Sequence, residues 1–315
     1  MQIRIVENVK PRKKSVDIMF NLALAVLVII AHPDDETLFA GFLHALTHKL
    51  NATIDLVCVT NGEGGFRHSA PSESLYGNLQ LSKESIARAH LPRIRKQELL
   101  ASGKILGIRK YFFYDQFDLK YDRDVDLVFS EQWDKQWIIQ LLEQTIKTGN
   151  GVDGYDLMLV MLPNVESHGH HTASGLLALE TIKRLQENNS TSTKIPTVIG
   201  GSEFTLTEPP TYTPNPIAEI SLNTSYEFQF NRTWKLSNSS EIPDYQMIAI
   251  WMCSEHKSQG GIIASMLTPT ARKIEQYFYF SLNNYSNDNQ IRIELIENLF
   301  EQLVDIHRYE SGNML

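Results

Sequence analysis

Residues 23–31 read Ala-Leu-Ala-Val-Leu-Val-Ile-Ile-Ala, and the run breaks at once into His32-Pro33-Asp34-Asp35-Glu36. Continuous apolar residues with no polar alternation suit a strand buried on both faces, the usual state of a parallel strand sealed between helix layers. A chain built this way needs helices on either side of its sheet. It also carries a histidine and three acids to the point where the strand leaves the core. Upstream, Lys10, Arg12, Lys13 and Lys14 are basic, so the run also resembles the core of a secretory leader. It is short for a membrane span. We read residues 23–31 as a strand and residues 1–22 as an N-terminal extension.

The rest of the chain repeats the pattern. "ETLFAGFLHALTHKL" places Leu38, Phe42, Leu46 and Leu50 on one helical face, with Phe39 and Leu43 beside them. "ATIDLVCVT" predicts a second strand, "RIRKQELLASGKILGI" a helix and "KYFFYD" a third strand. "WDKQWIIQLLEQTIK" predicts a helix, "YDLMLVML" a strand, "HTASGLLALETIKRL" a helix and "IPTVIG" a strand. Strands alternating with helices predict an α/β fold: a Rossmann-like, doubly wound, mainly parallel sheet with helices on both faces. That core spans 23–203. From about Phe204 the chain turns rich in Thr, Pro and Tyr. Residues 204–315 are expected to form an irregular C-terminal elaboration with added strands and two helices, one before "WMCSEHKSQG" and one in "RIELIENLFEQLVDIHRY". No second domain is marked. Phe66 to Leu91 is expected to be a long loop insertion with one short helix, of the kind that forms either a functional cover or a disordered excursion.

In an open α/β sheet ligands bind beyond the carboxyl ends of the strands. "HPDDE", "NGEGG", "YDQFD" and "PNVESHGHH" all lie at such ends. His32, Asp34, Asp35, His168, His170 and His171 supply imidazoles and carboxylates without a thiolate. Three such ligands with a fourth position open describe a catalytic zinc site rather than a structural one, and iron(II) accepts the same donors. If the helix near His168 is formed there, positions three apart share a face, which pairs His168 with His171 and turns His170 elsewhere. Of the neighbours Asp34 and Asp35, one can bind metal while the other addresses the activated water. An N-capping role would explain a single acid here. It leaves the histidine after the strand, the three successive acids and the later histidine cluster without a reason.

Other features are read more plainly. His44 and His48 lie opposite the apolar stripe of their helix and are expected in solvent. His68, His90 and His307 have no companion ligands. "NGEGGFR" lacks the Gly-Lys-Ser/Thr ending of a phosphate loop and reads as a tight turn. The sequon "NRT" needs a secretory route to matter. Cys58 and Cys253 are the only cysteines among 315 residues, which excludes a disulfide framework and fits a reducing cytoplasm. A formal net charge of −8 opposes a nucleic-acid partner. With 42% hydrophobic and 21% charged residues the chain is an ordinary globular one, and oligomerisation is left open.

"AHPDDE" with a later His-x-x-His resembles the LmbE/PIG-L family of zinc-dependent N-acyl deacetylases, which act largely on N-acetylglucosamine-type amides. "RKQELLASGKILGI" is similar to that family's Arg-x-x-Glu helix, "WD" precedes the next helix as is common there, and "HKSQ" resembles its late His-x-Ser/Thr-Gln segment. The resemblance runs from about Val26 to Gln259. It implies that His32, Asp35 and His171 bind zinc, that Asp34 is the general base, and that His168 stands beside the oxyanion. It further implies that Arg95 contacts substrate, an N-acylated amino sugar or related small molecule, with His256 and Gln259 near the pocket. His256 also reads as a helix-end cap. Gly169 and His170 replace the family's Pro-Asp, so an acid that could orient a histidine is missing, and Glu166 and Ser167 carry no tyrosine to assist the oxyanion. The rival readings are a non-catalytic carbohydrate-binding or assembly protein on the same scaffold, and a metal-dependent hydrolase of an ester or phosphate.

Overall fold

The computed structural model describes residues 24–119, 121–131, 133–188, 193–206, 224–236, 244–260, 272–285 and 289–310. The N-terminal extension and residues 207–223 therefore lie outside the described residues. The apolar run becomes β1 (Ala25–Ile30), every residue of which is buried. It pairs in parallel on one side with β2 (Thr53–Thr60) and on the other with β4 (Leu157–Met161). β3 (Ile108–Gln116) lies beside β2, and β5 (Thr197–Gly201) beside β4, all parallel. The C-terminal strands β6 (Thr224–Asn231) and β7 (Ile274–Phe280) join antiparallel, giving the order β3-β2-β1-β4-β5-β7-β6. The expected α/β class, with a mainly parallel, doubly wound sheet, is the one observed.

Alternation along β1 divides the core. Val26, Val28 and Ile30 face α1 (Ala40–Leu50), α2 (Glu84–Leu106), α6 (Tyr245–Glu255) and the C-terminal helix Asn289–Glu310. Ala25, Leu27 and Ile29 face α4 (Lys135–Thr148) and α5 (Gly169–Glu187), with α3 (Val125–Glu131) at the border. Two layers of helix thus cover one sheet, as a both-face apolar strand requires. Asp134 caps α4 by accepting from Trp137 N at 3.0 Å, so the "WD" dipeptide marks a helix start.

Several expected boundaries move. The Phe66 to Leu91 segment is not a long loop: it forms 3-10 turns at Glu63–His68 and Ala70–Tyr76, and α2 starts at Glu84 and continues through Pro92. Leu81, Ala87, Leu91 and Ile94 form a small apolar cluster that holds it down. α6 runs through the "WMCSE" stretch rather than ending before it. β7 escaped the sequence reading although its last six residues are all buried. His44 is half-buried rather than solvated, stacked at 3.9 Å on exposed His48 and edge-on to Tyr245, because α6 packs over that side of α1. His307 is a core residue, bonded to Tyr245 Oη at 2.8 Å.

Candidate active site and metal centre

The strand order reverses between β1 and β4, the switch point at which such sheets leave a crevice. The loop after β1 carries His32 to Asp35 and the loop after β4 carries His168 to His171, so the two groups meet there. Asp35 organises the first loop: its Oδ2 accepts the backbone N–H of Ala31 at 3.0 Å and of His32 at 2.7 Å. Asp34 sits at φ 149°, a costly backbone for a non-glycine residue. Arg95 Nη2 binds its Oδ2 at 2.8 Å, and Thr37 Oγ1 donates to its carbonyl at 2.6 Å, offsetting that strain.

His171 Nε2 lies 3.1 Å from Asp35 Oδ1 and 3.1 Å from His32 Nδ1, and His32 Nδ1 lies 3.5 Å from Asp35 Oδ2. His171 Nδ1 donates to Glu203, which also accepts from Ser167 Oγ at 2.7 Å. That bond leaves the Nε2 lone pair of a neutral His171 facing another imidazole nitrogen and a carboxylate. Electron-pair donors so arranged need protons or a cation between them. The donor set fits a zinc-type ion, and an imidazole whose other N–H is held by a carboxylate is the usual metal-ligand arrangement. His32, His168 and His171 also present ligand atoms within 4.8 Å of one another. Without a cation, burial opposes ionisation of Asp35, but the imidazoles of His171 and His32 hold its carboxyl well below the usual range. Burial opposes charging of His171 as well, yet Asp35 and then Glu203 push it well above an ordinary imidazole. Asp34, unlike Asp35, is raised, by burial against the pull of Arg95.

His168 precedes the first residue of α5 with a non-helical backbone, its ring 5.0 Å from that of His32 and stacked at 4.8 Å on Tyr121. His168 and His171 are brought together, with ring centroids 5.5 Å apart, although His168 lies outside the helix. His170 does not point elsewhere, however: its Nδ1 is 3.0 Å from His32 Nε2, because His32 sits over the start of α5 where all three rings reach it. Asp118, just after β3, approaches the same pair. Sequence reading marked its "YDQFD" loop without singling out this residue. Glu203, one residue beyond Ser202 at the end of β5, was missed; an acid at a fifth strand end was the available signal.

Arg95 is buried, with Nη1 donating to Gly62 O at 2.6 Å and Nη2 to Pro33 O at 2.7 Å besides the Asp34 contact. It ties the first two strand-end loops together and also lines the cavity. The glycines of "NGEGG" follow from that crowding. A Cβ on Gly62, at φ 72°, would meet Arg95 Nη1 at 2.6 Å, and one on Gly64 would meet Asp118 Oδ1 at 2.5 Å. His256 ends α6 and is fully buried, with Nε2 bonded at 2.6 Å to Glu36 Oε1, which also accepts from Ser102 Oγ at 2.6 Å. Glu98 accepts from Ser258 N at 2.7 Å and Ser258 Oγ at 2.6 Å, and from Tyr76. "HKSQ" is thus clamped to α2 and to the residue after Asp35. Gln259 packs against Gly65.

These groups open on a cavity of about 590 Å³. His32, Asp34, Asp35, His168 and His171 form one wall, and Phe66, His68, Tyr121 and Phe204 are among the residues around it. A doubly wound α/β chain with a histidine and carboxylate cluster at its switch point has the build of a protein with a strand-end metal site. Residues 27–182, just under half of the chain, match the family profile described as "PIG-L: GlcNAc-PI de-N-acetylase", a PIG-L (LmbE-like) family match. "Probable N-acetyl-alpha-D-glucosaminyl L-malate deacetylase 2" of Bacillus subtilis (strain 168) is 28% identical over 166 residues, 52% of this chain and 63% of its own length. The protein of the same name from Bacillus anthracis is 29% identical over 168 residues, 52% of this chain and 61% of its own. The matched region therefore spans somewhat under two thirds of these curated relatives. Among solved structures, the N,N'-diacetylchitobiose deacetylase from Pyrococcus horikoshii is similar with a TM-score of 0.49 at 17% identity, covering 84% of this chain and 86% of that one. Among the described residues, no helix is long and apolar enough to cross a membrane.

Proposed function

We propose that this chain hydrolyses the N-acetyl amide of an amino sugar or a related small molecule, using one zinc-type cation held by His32, Asp35 and His171. The observation that carries the reading is the convergence of those three side chains, from two strand ends, on a cavity that Asp34 also lines. The family match and the deacetylase names of similar proteins support the choice of an amide. A bound cation would supply Lewis-acid activation of water and of the amide carbonyl.

The residues of the chain do the remainder. Asp34, fixed through Oδ2 by Arg95, accepts the proton of the attacking water. His168, on the cavity wall, donates to the developing oxyanion. Arg95 holds Asp34 in its strained backbone and keeps the loops after β1 and β2 in register, a positioning role besides the substrate contact that the family resemblance implies. The aromatic faces of Phe66, Tyr121 and Phe204 suit a sugar ring, which offers C–H groups on one side and hydroxyls at its edge.

The test is release of free amine from a panel of N-acetylglucosamine derivatives by the zinc-loaded protein. Asp34→Asn is expected to keep its metal and lose about 100- to 10,000-fold in kcat. His171→Ala is expected to lose the metal. Unchanged turnover in both variants, or saturable sugar binding with no amine released by the wild type, overturns the reading.

A further inference from the structure

His32 has two ring nitrogens, and only Nδ1 faces Asp35 and His171. Nε2 points the other way, into a second group made of His170 and Asp118. We propose that His32 Nε2, His170 Nδ1 and Asp118 Oδ1 form a second divalent-cation site, joined to the first through the His32 ring.

The three atoms form a compact triangle. His32 Nε2 to His170 Nδ1 is 3.0 Å, His170 Nδ1 to Asp118 Oδ1 is 3.5 Å, and His32 Nε2 to Asp118 Oδ1 is 3.9 Å. The point equidistant from corners so spaced lies about 2.0 Å from each, the length of a Zn–N or Zn–O bond. All three residues are buried, at 8%, 1% and 5% exposure in the order His32, His170, Asp118. One hydrogen bond between the two rings accounts for their 3.0 Å approach, but leaves the carboxylate oxygen facing two nitrogens at distances longer than a hydrogen bond.

The surroundings hold this arrangement in place. Asp118 Oδ2 accepts the N–H of Gly64 at 3.1 Å, which turns Oδ1 toward the imidazoles. His170 is stacked on Trp133 with ring centroids 5.0 Å apart. Two imidazoles and one carboxylate, with no thiolate, suit zinc, cobalt or iron(II) rather than calcium or magnesium. Filling both sites requires the His32 ring to give its remaining N–H proton to solvent, so that each nitrogen carries a lone pair.

The experiment counts metal and needs no turnover. Chelator-stripped full-length protein is titrated with Co²⁺, followed by its visible absorption, and metal content is measured after gel filtration. Wild type is expected to bind two equivalents. His170→Phe, which keeps a ring against Trp133, and Asp118→Asn, which keeps an acceptor for Gly64 N–H, are each expected to bind one. If His170→Phe does not fold, Asp118→Asn decides. One equivalent in wild type, unchanged in Asp118→Asn, overturns the proposal, as do two equivalents that both variants retain. One equivalent that Asp118→Asn loses and His171→Ala keeps would uphold this site and refute the ligand set proposed above.

Discussion

Glu203 meets His171 on the side away from Asp35, where a carboxylate would fix the tautomer and orientation of the ring in the proposed metal site. Glu203→Gln is therefore expected to weaken metal binding about 10- to 100-fold, readable by competition with a chelator. His44 makes a separate prediction. Burial first, then the neighbouring charges of His48 and Lys49, lower it to about 4 from an ordinary value of 6.5. Between these values the unfolded chain binds more protons than the folded one, so the contribution of His44 to stability is lost as pH falls through that window. Unfolding midpoints at pH 7 and pH 5 should converge in His44→Gln relative to wild type. At this scale the sequence was partly legible. His32, Asp34, Asp35, His168 and His171, which line one cavity, could be singled out because each stands in a dense motif, whereas Glu203 and Asp118 gain their contacts only from partners far along the chain.

The loop after β2 shows how an element is shaped by a side chain from another. Gly62 has φ 72° and its α-carbon faces the Arg95 guanidinium. Gly62→Ala adds both left-handed backbone strain and a steric conflict with a buried cation. A cost of about 1–3 kcal/mol in denaturant unfolding is expected from the strain alone. "NGEGG" was readable as a turn but not as the seat of an arginine, since nothing local to the motif names α2. Helix boundaries failed for a related reason. Propensity favoured starting α2 after Pro92, but the apolar cluster of Leu81, Ala87, Leu91 and Ile94 makes it worthwhile to extend the helix upstream through the proline.

Across the whole molecule, the C-terminal strands brace the site from behind. Glu275 in β7 is fully buried and accepts from Gly41 N at 2.9 Å and Phe42 N at 3.0 Å, satisfying two donors at the start of α1. Arg232, just past β6, donates to Glu275 at 2.5 Å and to Leu38 O at 2.7 Å. Residues more than 190 positions apart thus fix the turn that follows Asp35. Glu275→Ala leaves Arg232 buried without its partner and is expected to cost about 3–5 kcal/mol, measured by chemical denaturation. The same variant should weaken metal retention if the brace sets the His32 to Asp35 loop.

Sequence by itself determined the layered α/β class, because a strand with no polar face demands cover on both sides and the alternation of periods along the chain provides it. It also pointed to the His32–Glu36 and His168–His171 motifs, which the fold gathers at one sheet edge. Tertiary structure decided what those motifs touch: that His170 joins His32, that Arg95 lies under Asp34, and that β7 caps α1. The physical reason is range. Periodicity and capping are set by neighbours within a few residues, while lone acids and buried pairs take their meaning from contacts that only strand order brings together.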